Sequence, residues 1–344
     1  MSQNPASRSL RQRLGAAIQR AWAHRGPLAW CMRPVAVLYG AVTGLNRSLY
    51  RLGLRHADRL PVPVLVVGNV VAGGAGKTPT VMALVRHLRQ AGWHPAVLSR
   101  GHGRSAEECL EVSAGSLPGE VGDEPLLIHC NTGAPVFVAR RRSEAGLAAL
   151  HRHPGTDVLI CDDGLQHLAL HRDVEVCAFD DRGLGNGWLL PAGPLREPWP
   201  RRVDIVLHTG NHPAFPGFRS RRTLCDHGIR PDGSRVALRQ HHGRPVLALA
   251  AIAAPENFFA MLRSHGIDLE RTLALPDHWD FGDWDASLQQ RYQIVCTEKD
   301  AVKLWRIVPD AIAVPLAFEP ETGFFDAVDR ALAEHSSAFH GRRA

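Results

Sequence analysis

The stretch Val62–Thr80, VPVLVVGNVVAGGAGKTPT, decides the fold, because it joins a buried strand to a phosphate-binding loop and then to a helix. Val64, Leu65, Val66 and Val67 form a short continuous apolar run, the pattern of a strand covered on both faces of a parallel sheet. Glycine follows at once. Gly73, Gly74 and Gly76, with Ala75 among them, let successive backbone N–H groups point at one anion, and the helix opening near Lys77 adds its positive end. In such a loop Lys77 reaches the β- and γ-phosphates of a nucleotide, and the Thr78 hydroxyl takes a place on Mg²⁺. The strict pattern G-x-x-x-x-G-K-[ST] would put glycine where this chain has Val71, so the loop is a variant, G-N-x-x-x-G-G-x-G-K-T. The plainer alternative is a glycine-rich turn before a core helix. It explains neither the Lys-Thr pair nor the order of the elements. Pro79 is tolerated in a first helical turn, where its missing N–H is no loss.

Outward from this loop, strands alternate with helices. A helix from Thr78 to Gln90 is closed by Gly92, and Ala96 to Leu98 is the next strand. A helix starts at Gly122 and runs to Cys130; Val136 to Val138 is a strand, and a helix from Ser143 to Leu150 takes Ser143 as its cap. Strands Val158 to Cys161, Val174 to Phe179 and Val203 to Leu207 follow, with a long Gly/Pro loop from Asp180 to Pro200 between the last two. The fold class is α/β: a P-loop NTPase-like, mostly parallel sheet with a second, smaller α/β domain. The expected division is a basic segment over 1–58, a nucleotide-binding core over 59–211, a linker or two-stranded connection over 212–243, and a second α/β unit over 244–344. That second unit carries a closing helix near Gly323 to Glu334 and a loose tail, HSSAFHGRRA.

At 344 residues, with 45% apolar and 22% charged residues, the chain can build two cores. Seven scattered cysteines without a C-x-x-C pair point to reduced thiols in a cytosolic setting and exclude a disulfide framework. Of 40 basic residues only Lys77, Lys299 and Lys303 are lysine. Where arginine would serve, this chain uses arginine.

The first 57 residues hold nine arginines and no acidic group, interleaved with Leu28, Trp30, Val37, Leu38, Tyr39, Val42 and Leu45 at helical spacings. The longest uncharged run, Pro34 to Asn46, is thirteen residues, shorter than the roughly 20 that a bilayer requires. The expectation is an amphipathic, membrane-associated helix on an anionic surface, neither a spanning helix nor a cleaved signal peptide. A basic helix packed on the body of the protein is the alternative.

The apolar run Val158 to Cys161 ends in Asp162-Asp163-Gly164, where the carboxyl end of a parallel strand would hold Mg²⁺ or its waters. Gln166 and His167 follow within reach of the same pocket. These residues imply a nucleotide with Mg²⁺ as the ligands.

GNVVAGGAGKTPT, LSRGHGR, VGDEP, CDDGLQH, PAGPLREP, PDHW and CTEKDAVKL occur in the order found in the tetraacyldisaccharide 4'-kinases of lipid A assembly, and the N-terminal PVAVLYGAVTGLNRSLYRLG is also similar. The resemblance extends from about Arg25 to the closing helix. It implies γ-phosphate transfer from ATP to the 4'-hydroxyl of an acylated glucosamine disaccharide 1-phosphate, at the cytoplasmic face of a bacterial inner membrane. It implies further that Asp123, in VGDEP, is the base and that His278, in PDHW, pairs with it. A carboxylate oriented by an imidazole suits a sugar hydroxyl of high pKa. Without the resemblance, Asp123 could simply cap a helix. Lys77, Arg196 and one of Arg140, Arg141 and Arg142 would neutralise the transferring group, and Glu197 is a further candidate around Mg²⁺.

A membrane-associated switch NTPase of the partitioning or metallochaperone type uses a similar loop. Thr297-Glu298-Lys299-Asp300 is near the guanine-reading [NT]-K-x-D, but its lysine stands one place late. A nonenzymatic nucleotide sensor would need no base. No feature calls for nucleic acid or an obligate protein partner.

Overall fold

The computed structural model describes residues 15, 17–238 and 244–340. The strands are β1 (Val64–Gly68), β2 (Pro95–Ser99), β3 (Leu110–Glu111), β4 (Val136–Val138), β5 (Val158–Asp162), β6 (Val174–Phe179), β7 (Ile205–His208) and β8 (Phe218–Leu224), followed by β9 (His227–Ile229), β10 (Arg235–Ala237), β11 (Val246–Ala250), β12 (Leu269–Ala274), β13 (Gln293–Thr297), β14 (Ile312–Val314) and β15 (Leu316–Pro320). The helices named here are α1 (Pro27–Arg51), α2 (Lys77–Gln90), α3 (Pro118–Val121), α4 (Asp123–Thr132), α5 (Arg142–Arg152), α6 (Pro255–Ser264), α7 (Ala286–Arg291), α8 (Glu298–Leu304) and α9 (Thr322–His340).

A nine-stranded sheet has the order β15-β8-β7-β6-β1-β5-β2-β4-β3, parallel from β8 to β4 with an antiparallel strand on each edge. A six-stranded sheet has the order β10-β9-β14-β13-β11-β12, parallel from β14 to β12 and closed by the β9–β10 hairpin. Every residue of β1, β2 and β5 is buried, as their unbroken apolar runs require of strands with helices on both faces. In the larger sheet α2, α4 and α9 pack on one face and α5 on the other. The register places Val67 of β1 beside Asp162 of β5, so the glycine loop and the Asp162-Asp163 pair leave neighbouring strands at the same level.

Several expectations change. Ser143 does not cap its helix: Arg141 holds that position, and the Ser143 hydroxyl donates to Asp58 Oδ2 at 2.6 Å. The 212–243 connection is more than a linker, because β8 extends the first sheet while β9 and β10 extend the second; residues 239–243 of it lie outside the described residues. The closing helix, assigned from sequence to the second unit, packs on the nine-stranded sheet. There Phe324, Val328 and Leu332, spaced four apart, join Phe318 of β15 in its core. The supposed loose tail continues this helix to His340, and residues 341–344 lie outside the described residues.

The N-terminal segment also departs from expectation. Residues 1–14 and 16 lie outside the described residues, but α1 is a single 25-residue helix, long and apolar enough by length and composition alone to cross a membrane. The thirteen-residue uncharged run lies inside this longer helix, because charged residues inside a helix do not end it. One face of α1 nonetheless lies along the body. Trp30 meets Trp188 edge to face at 4.8 Å, the Tyr39 hydroxyl donates to the Arg196 carbonyl at 2.9 Å, and Arg47 pairs with Glu197 at 2.9 Å. The other face exposes Leu28, Val35, Val37, Leu38, Val42 and Leu45.

Candidate active site

The glycine loop leaves β1 at Gly68 and enters α2 at Lys77. Gly73 and Gly76 hold φ of 100° and 74°, the left-handed region that glycine enters without strain. Asn69, fully buried, fastens the loop from inside: its Nδ2 donates to the carbonyls of Val71 and Gly73, and its Oδ1 accepts from Lys77 Nζ at 3.3 Å. The Thr209 hydroxyl donates to the Ala75 carbonyl at 2.9 Å, and Arg182 reaches the Ala72 and Gly74 carbonyls at 3.1 and 3.0 Å. With its carbonyls held from behind, the loop keeps its N–H groups for an anion.

At the end of β5, Asp163 sits in the left-handed region (φ 48°), a costly conformation for a residue with a side chain. That turn directs its carboxylate to Lys77 at 3.8 Å and to Arg196, which donates to both oxygens at 2.9 and 3.1 Å. Burial alone would raise the Asp163 pKa, but Lys77, Arg196 and Arg142 bring it below the ordinary value. Asp162 is the opposite case. Burial, then the charges of Glu124 and Asp163, raises its pKa, and its Oδ1 has no hydrogen-bond partner. A buried carboxylate oxygen left without a partner, next to other carboxylates, fits a divalent cation. Among the described residues no group of three or more His, Cys, Asp or Glu could cage a metal.

Glu197, a candidate for Mg²⁺, already carries a donor on each oxygen. Gln166 Nε2 donates to one at 2.8 Å and Arg47 to the other at 2.9 Å. Gln166 also donates to the Asn69 carbonyl at 3.0 Å and accepts from Arg196 at 3.3 Å, so this group braces the loop from the side of α1. Of the three consecutive arginines, Arg140 and Arg141 are exposed. Arg142 is buried and donates to the carbonyls of Asp162 and Asp163 at 3.2 and 3.4 Å.

The second sheet completes the cleft. Gly122 holds the cap position of α4, so Asp123 is its first residue rather than its cap, and the Asp123 carboxylate is free to turn outward. Its Oδ2 lies 3.1 Å from His278 Nδ1 and 2.7 Å from Lys303 Nζ. Burial would raise the Asp123 pKa; hydrogen bonds from His278 and Lys303 more than offset it, leaving the group ionised at neutral pH. His278 is also held in the left-handed region, φ 62°. Its Nε2 is 3.3 Å from Lys299 Nζ, which also reaches Asp277 at 3.0 Å and Glu124 at 3.4 Å. An ammonium only donates, so Nε2 is the accepting nitrogen and Nδ1 carries the proton given to Asp123.

His167, a candidate nucleotide contact, is pushed down to about 4 by burial and then by Arg142, Arg172 and Arg100. A depressed histidine favours the folded state above its unfolded value of about 6.5, and that contribution fades as pH falls toward the folded value. The His167 ring is therefore expected to hold constant NMR shifts from pH 8 to 5.5. A midpoint near 6.5 would contradict this placement.

Lys77 thus faces the strand-end acids, while Lys299 and Lys303 hold the Asp123–His278 pair. The sequence assigned no catalytic role to Lys299 or Lys303, although lysine scarcity was the available signal. Asn69, Glu124 and Arg47 gave no signal beyond their motifs.

A glycine loop with Lys77 and Thr78, an acidic strand end beside it and a carboxylate–imidazole pair across the cleft define a P-loop phosphotransferase. The tetraacyldisaccharide-1-P 4'-kinase family model, LpxK, matches residues 28–333. The chain is 57% identical over 329 residues to the tetraacyldisaccharide 4'-kinase of Acidovorax ebreus, covering 95% of this chain and 97% of that one. It is 45% identical over 362 residues to that of Methylibium petroleiphilum, covering 99% and 100%. The crystal structure of "apo" form LpxK from Aquifex aeolicus in complex with ATP is similar with a TM-score of 0.76 at 30% identity, over 89% of this chain and 99% of that one. The chain belongs to the tetraacyldisaccharide-1-P 4'-kinase family, and it is a kinase.

Proposed function

We propose that this kinase transfers the γ-phosphate of ATP to the 4'-hydroxyl of a tetraacylated glucosamine disaccharide 1-phosphate in lipid A assembly, with Asp123 as base. The observation that carries this reading is the 3.1 Å contact between Asp123 and His278, 155 residues apart, with Glu124 beside Asp123 close enough to Asp162 to raise its pKa. Asp123, ionised, accepts the hydroxyl proton as the oxygen attacks phosphorus. His278 donates Nδ1–H to Asp123 and fixes its direction, while Lys303 stabilises its charge. Lys77 and Arg196 stand where negative charge on the transferring phosphoryl group would be neutralised. Arg142 holds the Asp162-Asp163 turn in place. Thr78 and Asp162 are the groups that would hold Mg²⁺, which supplies positive charge to the β- and γ-phosphate oxygens. Glu197 acts from behind, through Gln166 and Arg47.

ATP consumption separates this reading from a switch NTPase. A kinase of this design leaves ATP nearly intact until the disaccharide lipid is added in detergent micelles, and then forms one ADP per phosphorylated acceptor. Hydrolysis at the same rate without acceptor would favour the switch.

We also place the cleft at the cytoplasmic surface of an anionic membrane, on the support of α1. Its outward face exposes apolar side chains, and Arg51 at its end and Arg55 just beyond it are exposed too, a combination suited to the headgroup layer. Binding to anionic vesicles is expected to weaken, without vanishing, in high salt. The double variant Leu38→Asp/Val42→Asp should lose at least about tenfold in vesicle affinity, since each buried aliphatic side chain contributes roughly 1.5–3 kcal/mol. ATP binding should be unchanged. Vesicle binding equal to wild type would remove α1 from the membrane contact. Deleting the segment is a less clean test, because it also strips Arg47 from Glu197 and Tyr39 from Arg196.

A further inference from the structure

We propose that Arg222 contacts the nucleotide, its guanidinium taking an anionic oxygen of the ATP phosphate chain on the side of the loop away from Asp162 and Asp163. This rests on the reading of the loop as an ATP site. Arg222 belongs to β8, three residues beyond the last β7–β8 pair, His208 with Arg219, so the strand carries it past the carboxyl end of β7. Its side chain lies over the loop: a Cβ added at Gly76 would be 1.9 Å from Arg222 Nη2 and 3.0 Å from Thr209. Glycine at position 76 therefore serves two ends, the left-handed turn and room for a guanidinium.

Two of the three nitrogens of that guanidinium have no partner among the described residues. Its Nε and Nη2 are buried without a hydrogen-bond partner. The Phe318 ring lies 5.8 Å below. Asp180 and Asp181 are close enough to influence its charge, but Asp180 is engaged by Arg182 at 2.8 Å and Asp181 Oδ1 accepts the His212 backbone N–H at 2.6 Å. A half-buried guanidinium with two buried, unpartnered nitrogens is unfavourable, and here it sits beside the positive end of α2, which adds repulsion. One anion between them removes both penalties, through charge-assisted hydrogen bonds of the kind arginine forms with phosphate.

The sheet order says which part of the nucleotide this is. In β8-β7-β6-β1-β5, Arg222 and the Asp162-Asp163 pair flank β1 from opposite sides. A phosphate chain with its γ end at Lys77 and the acids runs its other end toward Arg222, so the contact falls nearer the nucleoside.

The test is equilibrium binding of MgATP and of adenosine to the full-length protein, with thermal melting of the same samples. Wild type binds MgATP. Arg222→Met is expected to bind it at least about tenfold more weakly, in the range of a lost charged hydrogen bond, with adenosine binding nearly unchanged. Its nucleotide-free Tm should equal or exceed that of wild type, because a charge with two buried, unpartnered nitrogens has been removed. Arg222→Lys, which keeps a charge without the fork of donors, should be intermediate and carries the test if the methionine variant does not fold. MgATP affinity equal to wild type in both variants would overturn the proposal. So would a lowered nucleotide-free Tm with unchanged affinity, which marks a purely structural arginine, or an equal loss for adenosine, which marks a nucleoside contact. A wild type that itself ignored MgATP would overturn the ATP-site reading, and this assignment with it.

Discussion

Lys77→Ala is expected to reduce phosphoryl transfer by at least about a thousandfold while leaving the fold intact. Removing one preorganised charge from a site of this kind removes on the order of 10²–10³ in rate, and phosphoryl transfer relies on such electrostatics more than most reactions. Lys77 also fastens the site: it donates to Asn69, which holds the loop, and faces Asp163 at 3.8 Å. The variant therefore loses the charge on the phosphates and a tether of the loop together. Its side chain packs in no apolar core, so circular dichroism and Tm should stay near wild type. Thr78→Ala should behave similarly, with part of its loss recovered at high Mg²⁺. Undiminished turnover in Lys77→Ala would overturn the assignment of the loop.

Asp123→Ala is expected to lower kcat by about 10²–10⁴, the range of general-base catalysis, with little change in the KM for ATP. His278→Ala should give a comparable loss, and the double variant hardly more than either alone, because the two groups act as a unit. The geometry requires this: His278 is held in a strained backbone conformation with its Nδ1 on Asp123 and its Nε2 on Lys299. Independent, multiplying losses would argue against a pair. A failure confined to ATP binding would move Asp123 from the acceptor to the nucleotide side of the cleft.

Much of the first sheet was legible because its information is local. An apolar run, a glycine loop and a Lys-Thr pair lie within Val62–Thr80, and the structure places β1, the loop and α2 where that stretch puts them. Asp162 and Asp163 were legible for the same reason, standing at the end of an unbroken apolar strand. The Asp123–His278 contact spans 155 residues, and no periodicity reports such a distance; resemblance to a family supplied it. Lys299 and Lys303 were half visible, as rare lysines among arginines, but their partners depend on how α8 of the second sheet meets α4 of the first. The return of β15 and α9 to the first sheet was illegible. LAFEP is a five-residue edge strand, and its pattern does not say which edge it joins. Ser143 illustrates the limit of capping rules: a half-buried hydrogen bond to Asp58 outweighed the local preference.

The central claim is that this cleft moves phosphate to a sugar hydroxyl rather than to water. Incubating the full-length protein with γ-labelled ATP, Mg²⁺ and tetraacyldisaccharide 1-phosphate in micelles tests it most directly. Label recovered on the 4'-oxygen of the lipid, and lost in Asp123→Ala, is the predicted result; label found only as inorganic phosphate, at equal rates with and without the lipid, would contradict the account.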